Sequence, residues 1–405
     1  MPPGGDASWP MSGPEASAGW ASSGVVPLCG AAGGPPLVPP GNAAAVAARL
    51  GERFGVDGAR LLSERAAFTG HRRRGRTSPG GACRLLPTAD GWAAVSCARP
   101  DDPALLGALA EARVDGDPWP VLVPWLRAHT GAELAERAGL LGVAAGPVAG
   151  WPARVPAPGA PRSVEGALVV DFSALWAGPL CAHLLGSAGA RVVKVETPAR
   201  PDGARRGHSG FYDLLHAGHR SVVLDPAEPA GRRALEALVD AADIVIEASR
   251  PRALARFGLD AEAAVAAGTT WVSITAYGRA HDRIGFGDDV AAAAGLVCRD
   301  RDMAPLFCGD AIADPLTGLA AAALAAGAPP GGGGVLWDVA MAGVVAATLP
   351  GGDPVASAEA VQRGGSWFVE GVPVAEPARR EPPGTAPAMG RDTAEVLAGL
   401  GVPVP

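Results

Sequence analysis

Asp314 is the residue whose type and setting best suit covalent chemistry in this sequence. It stands in the segment ADPLTG (313–318), directly ahead of an alanine-rich run that predicts a helix from about Asp314 to Ala326. An aspartate before a proline at a helix start is typical of an N-cap. The positive end of a helix also stabilises an ionised carboxylate, which is the form that a nucleophilic aspartate needs. From the residues alone, the N-cap is the simpler interpretation, and the two roles are compatible.

Other familiar catalytic and metal-binding patterns are missing from the sequence. The segment GHSG (207–210) is not a G-x-S-x-G nucleophile elbow and predicts a polar loop, and no H-E-x-x-H motif is present. The 6 cysteines are scattered without a C-x-x-C pair, which favours reduced thiols over a disulfide framework or a zinc site. The glycine run 331–334 precedes a strand, so a flexible turn is expected there. We expect no metal site.

The elements that would position Asp314 alternate regularly between strand and helix. Ala167–Glu196 predicts a strand, a turn, a helix and a second strand, but its turn lacks the G-x-G-x-x-G spacing that closes on a pyrophosphate. Continuous Val, Ile and Leu runs are typical of parallel strands buried on both faces. Strands are predicted at Ala167–Phe172, Arg191–Glu196, Ser221–Leu224, Asp243–Glu247, Thr270–Thr275 and Val335–Val339. The fold class is therefore α/β, a Rossmann-like parallel sheet with a smaller α+β domain. Glu196, at the end of the second strand, is either a ribose-binding acid or an exposed strand-end charge.

The region ahead of this sheet predicts the smaller module. Arg84–Leu86 and Trp92–Ser96 flank an Asp-Gly turn and are typical of a hairpin. Helices are expected at Ala44–Phe54, Ala104–Ala112 and Ala132–Leu141. A Pro- and Gly-rich linker from Val148 to Pro161 follows. We expect a small α+β module at 1–160 with a flexible start, the Rossmann-like domain at 161–350, and a tail with a final helix at 351–405.

Composition excludes several classes of partner. The balance of 34 basic and 41 acidic residues gives a net charge of −7, which argues against a nucleic-acid-binding protein. The short basic cluster HRRR (71–74) with Arg76 predicts a solvated loop. Residues 1–17 contain no basic residue, and no segment approaches the ~20 apolar residues of a membrane helix. A cytoplasmic protein without a membrane partner is expected.

Several motifs in order resemble one enzyme family. VVDFSALWAGPLCAHLLGSAGARVVKVE is followed by HAGHRSVVLDP, ADIVIEASRPRALARFGLD and WVSITAYGR, then by AIADPLTGL, VLWDVAMAGVVAATL and PAMGRDTAEVLAGLG. Together they resemble the family III CoA-transferases, which include formyl-CoA transferase and, as a divergent branch, α-methylacyl-CoA racemase. The resemblance covers about Val164 to the carboxyl end. RLLPTADGWAAVSCARPDD resembles the family's small domain, which normally follows the large one, so the front part looks permuted or degenerate.

The resemblance implies CoA transfer from an acyl-CoA to a carboxylic acid through a covalent intermediate on an aspartate. Asp314 matches the family's nucleophile. The remaining matched positions are those for CoA binding, namely Leu175, Trp176, Ala177, Arg220, Ala248, Ser249 and Arg256. CoA and acyl-CoA are then substrates, with no tightly bound cofactor. The partners are acyl-CoA and small carboxylic acids, and a homodimer is implied. Backbone N–H groups near Gly309–Ala311, or in the turn at 175–179, would stabilise the oxyanions.

The sequence departs from the family at three places. Ala248-Ser249 replaces an Asn-Phe pair, Thr197 stands where a basic residue is common, and the GFGDD segment (285–289) lacks the histidine of the racemase branch. Racemisation uses two acid/base groups, so this loss favours transfer. A racemase or isomerase of 2-methylacyl-CoA and a catalytically silent CoA-binding subunit remain alternatives. A nicotinamide dehydrogenase is a more distant one.

Overall fold

Six parallel strands form the central sheet of the molecule, which a computed structural model describes over residues 14–249 and 251–404. The amino-terminal part contains α1 (Pro14–Ser22), α2 (Ala43–Glu52), α3 (Gly58–Leu61), α4 (Glu64–Thr69), β1 (Cys83–Pro87), β2 (Trp92–Ser96), α5 (Asp102–Leu109), α6 (Trp119–Ala128), α7 (Gly131–Leu141) and β3 (Ala145–Pro147). The hairpin predicted here is confirmed, since β1 and β2 pair antiparallel around the Asp90-Gly91 turn.

The central part follows from residue 168. It contains β4 (Leu168–Asp171), α8 (Ala177–Ser187), β5 (Arg191–Glu196), α9 (Ser209–His216), β6 (Arg220–Val223), α10 (Pro229–Asp240), β7 (Ile244–Glu247), α11 (Pro251–Ala255), α12 (Ala261–Ala266), β8 (Thr270–Thr275), α13 (Gly287–Ala293), β9 (Val297–Arg299), β10 (Pro305–Phe307), α14 (Ala313–Ala325), β11 (Val335–Ala340) and α15 (Met341–Ala346). The carboxyl-terminal part contains β12 (Val361–Arg363), β13 (Ser366–Val369), β14 (Val372–Pro373) and α16 (Thr393–Gly399).

The strand order of the central sheet is β11-β8-β7-β4-β5-β6. Each of the six predicted strands is present, and all of their pairings are parallel, which confirms the α/β fold class. The chain builds one half outward from β4 through β5 to β6, then returns to β7 on the other side of β4. The gap between β4 and β7 is therefore a topological switch point, where open α/β sheets bind their ligands beyond the carboxyl ends of the strands.

Both faces of the sheet are covered, as the continuous apolar strands require. One face packs against α8 and α14, and residues of the amino-terminal helices, such as Trp20 and Leu62, join the same core. The opposite face packs against α10 and α16 through residues such as Leu235 and Leu397. The three strands β1, β2 and β3 form a separate antiparallel sheet, with a small core of their own against α5, α6 and α7.

Helices α8 and α14 approach each other closely at Gly318. A Cβ atom at this position would lie 2.7 Å from the backbone oxygen of Ala177, closer than real Cβ atoms come. The small residues of α14 thus let the start of α8 meet the first turns of α14. In the part of the chain that the structure describes, no helix has both the length and the apolar character to cross a bilayer.

Candidate active site

Asp314 lies in the first turn of α14, which begins at Ala313 with Ile312 as its N-cap. The sequence interpretation of Asp314 as the N-cap is therefore wrong, because the helix starts one residue earlier than expected. The turn ahead of it is tight, since Ala311 has a φ of 47° and its carbonyl accepts a hydrogen bond from the Asp314 backbone N–H at 2.9 Å.

Two other segments close around this carboxyl group. The backbone N–H of Ala177, the first residue of α8, faces the Asp314 carboxylate and favours its ionised form. On another side, a Cβ atom at Gly287 would lie 2.1 Å from Asp314 Oδ2. Only a glycine backbone can approach the carboxylate this closely. The catalytic candidate and the Leu175–Ala177 turn, which are far apart in sequence, thus meet at the starts of two helices.

Burial raises the pKa of Asp314 to about 7. The positive charge of Arg65 opposes this rise, and the negative charge of Asp288 adds to it. An aspartate with this pKa is close to half ionised at neutral pH, so it can serve as a nucleophile or as a proton carrier.

Arg65, in α4, binds a neighbouring aspartate rather than Asp314. Its Nε donates to Asp310 Oδ2 at 2.8 Å and its Nη2 donates to Asp310 Oδ1 at 2.6 Å. His71 Nδ1 lies 3.1 Å from Asp310 Oδ2. Although the Asp310 carboxylate is completely buried, these partners hold its pKa well below the usual range. Arg65 also lies over the ring of Trp176, 5.1 Å from its centroid.

A second pair of acids follows at the start of α13. Asp288 Oδ1 accepts a hydrogen bond from the backbone N–H of Ala311 at 2.7 Å, and burial together with the charge of Asp310 raises the pKa of Asp288 to about 6. Burial raises the pKa of Asp289 to about 7, and its Oδ1 accepts from Ser96 Oγ at 2.6 Å. The Ala311 N–H is therefore already engaged, so within Gly309–Ala311 the predicted oxyanion role stays with the other N–H groups.

The Leu175–Ala177 turn is held in a strained form by buried charges beneath it. Leu175 has a φ of 71°, unusual for a residue with a side chain, and its side chain is 43% exposed. Its backbone N–H donates to Asp202 Oδ1 at 3.0 Å, while Asp202 Oδ2 lies 2.9 Å from Lys194 Nζ. Lys194 is buried between Asp202 and Asp171. The network fixes an exposed apolar side chain at the mouth of the site. Trp176 is instead buried, packed edge-on against Phe211.

The remaining candidates for CoA binding lie at two separate places on the sheet. Ala248 and Ser249 follow β7 at its carboxyl end, beside the loop after β4, and Ser249 Oγ is buried with no hydrogen-bond partner among the described residues. Arg256 is exposed just beyond α11. Arg220 lies elsewhere: it pairs with Glu395 at 2.9 Å and lines a 580 Å³ cleft that includes neither Asp314 nor the Leu175–Ala177 turn.

Several functional neighbours of Asp314 escaped sequence reasoning. Arg65 and Asp310 show no local pattern, because their ion pair joins residues 245 positions apart. His71 belongs to the basic cluster whose sequence predicts a solvated loop, and it instead contacts the buried Asp310. The structure also differs from two local expectations of the sequence analysis. Glu196 is buried and bound to Arg205 at 2.5 Å instead of being an exposed charge. The expected polar loop at 207–210 contains the start of α9 at Ser209.

Comparisons with known proteins identify the segment that contains most of this site. Residues 164–362 match the family model described as CoA-transferase family III. Succinyl-CoA–D-citramalate CoA-transferase of Chloroflexus aurantiacus is 30% identical over 176 residues, which cover 40% of this chain and 44% of that protein. Formyl-CoA:oxalate CoA-transferase of Afipia carboxidovorans is 32% identical over 108 residues, which cover 25% of this chain and 26% of that protein.

Solved structures give matches of similar extent. A CaiB/BaiF family protein from Brucella suis shares 28% sequence identity at a TM-score of 0.41, covering 46% of this chain and 55% of that one. The chain thus spans less than half the length of the curated relatives it matches. Arg65 and His71 lie outside the matched segment, whereas Asp314 and the Leu175–Ala177 turn lie within it. The match to CoA-transferase family III thus identifies the segment 164–362 as a domain of that family.

Proposed function

We propose that this protein transfers CoA from an acyl-CoA thioester to a carboxylic acid through a covalent intermediate on Asp314. The observation that supports this most directly is the meeting of the Asp314 carboxyl with the start of α8, next to the strained turn at Leu175. This turn borders the switch point of the sheet, where a nucleotide-containing substrate has room to bind. The names of the relatives support a transferase, with formyl-CoA and succinyl-CoA as the donors of those proteins.

The transfer proceeds in four nucleophilic steps with no net change in protons. The Asp314 carboxylate attacks the thioester carbonyl, the C–S bond breaks, and a mixed anhydride and a CoA thiolate form. The thiolate attacks the aspartyl carbonyl, releases the donor acid and leaves an aspartyl-CoA thioester. The acceptor carboxylate attacks this thioester and frees the thiolate, which then attacks the acceptor carbonyl. Acceptor-CoA leaves and the Asp314 carboxylate returns, so the thioester energy is conserved.

The proposed position of CoA rests on where the candidate CoA-binding residues lie along the central sheet. Leu175, Ala248 and Ser249 flank the gap between β4 and β7, so the nucleotide end of CoA is placed there. Arg256 is exposed beyond β7 and is free to reach a phosphate. Arg220 is a weaker candidate because it pairs with Glu395 at a separate cleft. CoA enters as a substrate in this scheme.

Chemical trapping tests the proposal. The protein is incubated with an acyl-CoA, treated with hydroxylamine or borohydride, digested and analysed by mass spectrometry. Modification is expected at Asp314 in the wild type and absent in Asp314→Asn. Asp353→Asn, at an exposed position, is the matched control and keeps the modification. Full transferase activity in Asp314→Asn would show that the nucleophile is assigned wrongly.

A racemase or isomerase of 2-methylacyl-CoA is the second candidate, and one observation favours it. Asp288 and Asp314 both have raised pKa values and interact with each other, so two acid/base groups are present despite the missing histidine. Exchange of the α-proton of such a substrate in deuterated water, without any acceptor acid, would support this reaction over transfer. Tight CoA binding without turnover would instead indicate a silent subunit.

The assembly is also part of the proposal. A homodimer and a permuted order of modules are implied by the family resemblance of the sequence, and a cytoplasmic location is expected from its composition. Sedimentation of the purified protein measures the first of these. A monomer with full activity would show that one chain completes the site alone, with Arg65 supplied from its own amino-terminal part.

A further inference from the structure

Three buried cysteines from separate parts of the chain converge on one point. Cys29 lies in the loop after the first helix, Cys298 in β9, and Cys308 directly after β10. Their exposed fractions are 0%, 0% and 3%. The three Sγ atoms all lie within 4.8 Å of one another, and those of Cys298 and Cys308 are 3.3 Å apart. Among the described residues, this is the one group of three or more potential metal ligands with such geometry.

The spacing of the sulfurs suits a common ion. Thiolates bind zinc at about 2.3 Å, so two thiolates of one tetrahedral ion lie about 3.8 Å apart. This value falls between the 3.3 Å contact and the 4.8 Å limit of the cluster. Three sulfur ligands without an oxygen or nitrogen ligand among them select soft ions over magnesium or calcium.

The surroundings offset the negative charge that three thiolates would bring. Arg73 binds the loop containing Cys29 through the carbonyls of Pro27, Ala31 and Gly34, at 3.2, 3.1 and 2.7 Å. The guanidinium of Arg73 thus brings a positive charge to the loop that contains Cys29. The scattered cysteines Cys29, Cys298 and Cys308, whose spacing predicts reduced thiols, thus meet in one cluster beside this charge.

We propose that Cys29, Cys298 and Cys308 bind one closed-shell thiophilic cation, Zn(II) or Cu(I), as thiolates. Binding releases one proton from each ionising thiol and changes no oxidation state. The ion would join the amino-terminal loop, outside the segment matched to the family, to the β9–β10 hairpin. Cys308 is followed by Gly309 and Asp310, so the ion would also fix the turn that leads to Asp314.

Metal analysis and thiol titration test this site independently of transferase activity. Protein purified without chelator from medium containing zinc, or copper under reducing conditions, is analysed for metal by mass spectrometry. One ion per chain is expected, and which metal is retained distinguishes Zn(II) from Cu(I). Anaerobic titration of the reduced, metal-free protein with Co(II) should produce sulfur-to-cobalt charge-transfer absorption that saturates at one equivalent.

Matched variants locate the ligands. Cys29→Ala and Cys308→Ser should each lower the retained metal by at least ~10-fold, because a structural site depends on all of its ligands. Cys181→Ala, also a buried cysteine but in α8 and outside the cluster, should retain the wild-type amount. If a variant fails to fold, the metal stoichiometry and the Co(II) spectrum of the wild type still test whether the site binds one ion.

Two results would overturn the proposal. In one, the denatured wild type shows only 4 of its 6 thiols before reduction and no metal, which indicates a Cys298–Cys308 disulfide. In the other, all 6 thiols titrate and no metal is retained from either medium, which indicates a reduced cysteine core.

Discussion

Replacing Asp314 with asparagine should abolish activity while making the folded protein more stable at neutral pH. The two effects have the same origin. The carboxylate is kept in a poorly solvated position for the reaction, and the fold bears the cost of holding its charge there. Asparagine has nearly the same shape, removes the charge and cannot attack a thioester. A residue with a purely structural role would instead lose stability when replaced.

The size of the effect follows from the pKa of Asp314. Its pKa rises from the ordinary value of 3.8 to about 7 in the folded protein. Between these values the folded state binds more protons than the unfolded state, so stability falls as the pH rises through this window. At about 1.4 kcal/mol per pKa unit, the ionised carboxylate lowers the stability of the fold above pH 7 by on the order of 4 kcal/mol. Because Asp314 is partly exposed, this cost is reduced to about 2 kcal/mol. Below pH 4 the cost disappears, because the carboxyl is protonated in both states.

Thermal denaturation of both proteins from pH 4.5 to 8.5 measures this difference. The melting temperature of Asp314→Asn should exceed that of the wild type at pH 8, and the gap should shrink toward pH 4.5. Asp353→Asn, at an exposed position, should follow the wild type throughout. A melting temperature of Asp314→Asn below that of the wild type at pH 8 would refute the reasoning, as would a gap that does not change with pH.

Three further predictions concern the same site. The kcat/KM of the wild type should rise with pH through about 7 and level off above it, because only the ionised Asp314 attacks; a flat profile from pH 5 to 8 contradicts this. Asp310→Asn should destabilise the protein by about 3 kcal/mol at pH 7, because it leaves Arg65 without its partner, and the difference should stay nearly constant down to pH 4 and shrink only below it; denaturation from pH 7 to below pH 4 measures both. Gly287→Ala should lower kcat/KM by ~100-fold, because its Cβ displaces the Asp314 carboxylate, while Gly139→Ala, where no atom lies within 4 Å, should leave activity unchanged.

The central sheet could be predicted from the sequence because its strands are continuous apolar runs. The bounds of β5 and β8 agree with the prediction at both ends, since each strand begins and ends with a polar residue. The strands β9 and β10 were missed, as each is only three residues long. A pairing this short is determined by the core beneath it, through residues such as Cys298 and Leu306, and not by local propensity.

The site could be predicted only in part. Asp314 and the Leu175–Ala177 turn could be named from the family resemblance, because both lie in motifs of consecutive residues. Arg65 could not, since it comes from α4 and reaches Asp310 across 245 positions of sequence. The same limit applies to the three cysteines, which have no spacing rule in common and meet only once the amino-terminal loop packs against β9 and β10.

Arg65 explains why two aspartates four residues apart behave so differently. Its planar guanidinium binds both oxygens of Asp310, one through Nε and the other through Nη2. This bidentate geometry commits both donors to a single carboxylate. Asp310 is therefore kept ionised, while Asp314 receives only the more distant charge of Arg65 and the N–H of Ala177 to offset the effect of its burial. A carboxylate held in an ion pair is a weak nucleophile because its electrons are already stabilised. In the proposed transfer, committing the arginine to Asp310 would leave Asp314 basic enough to attack a thioester and would keep a positive charge near the oxyanion that forms.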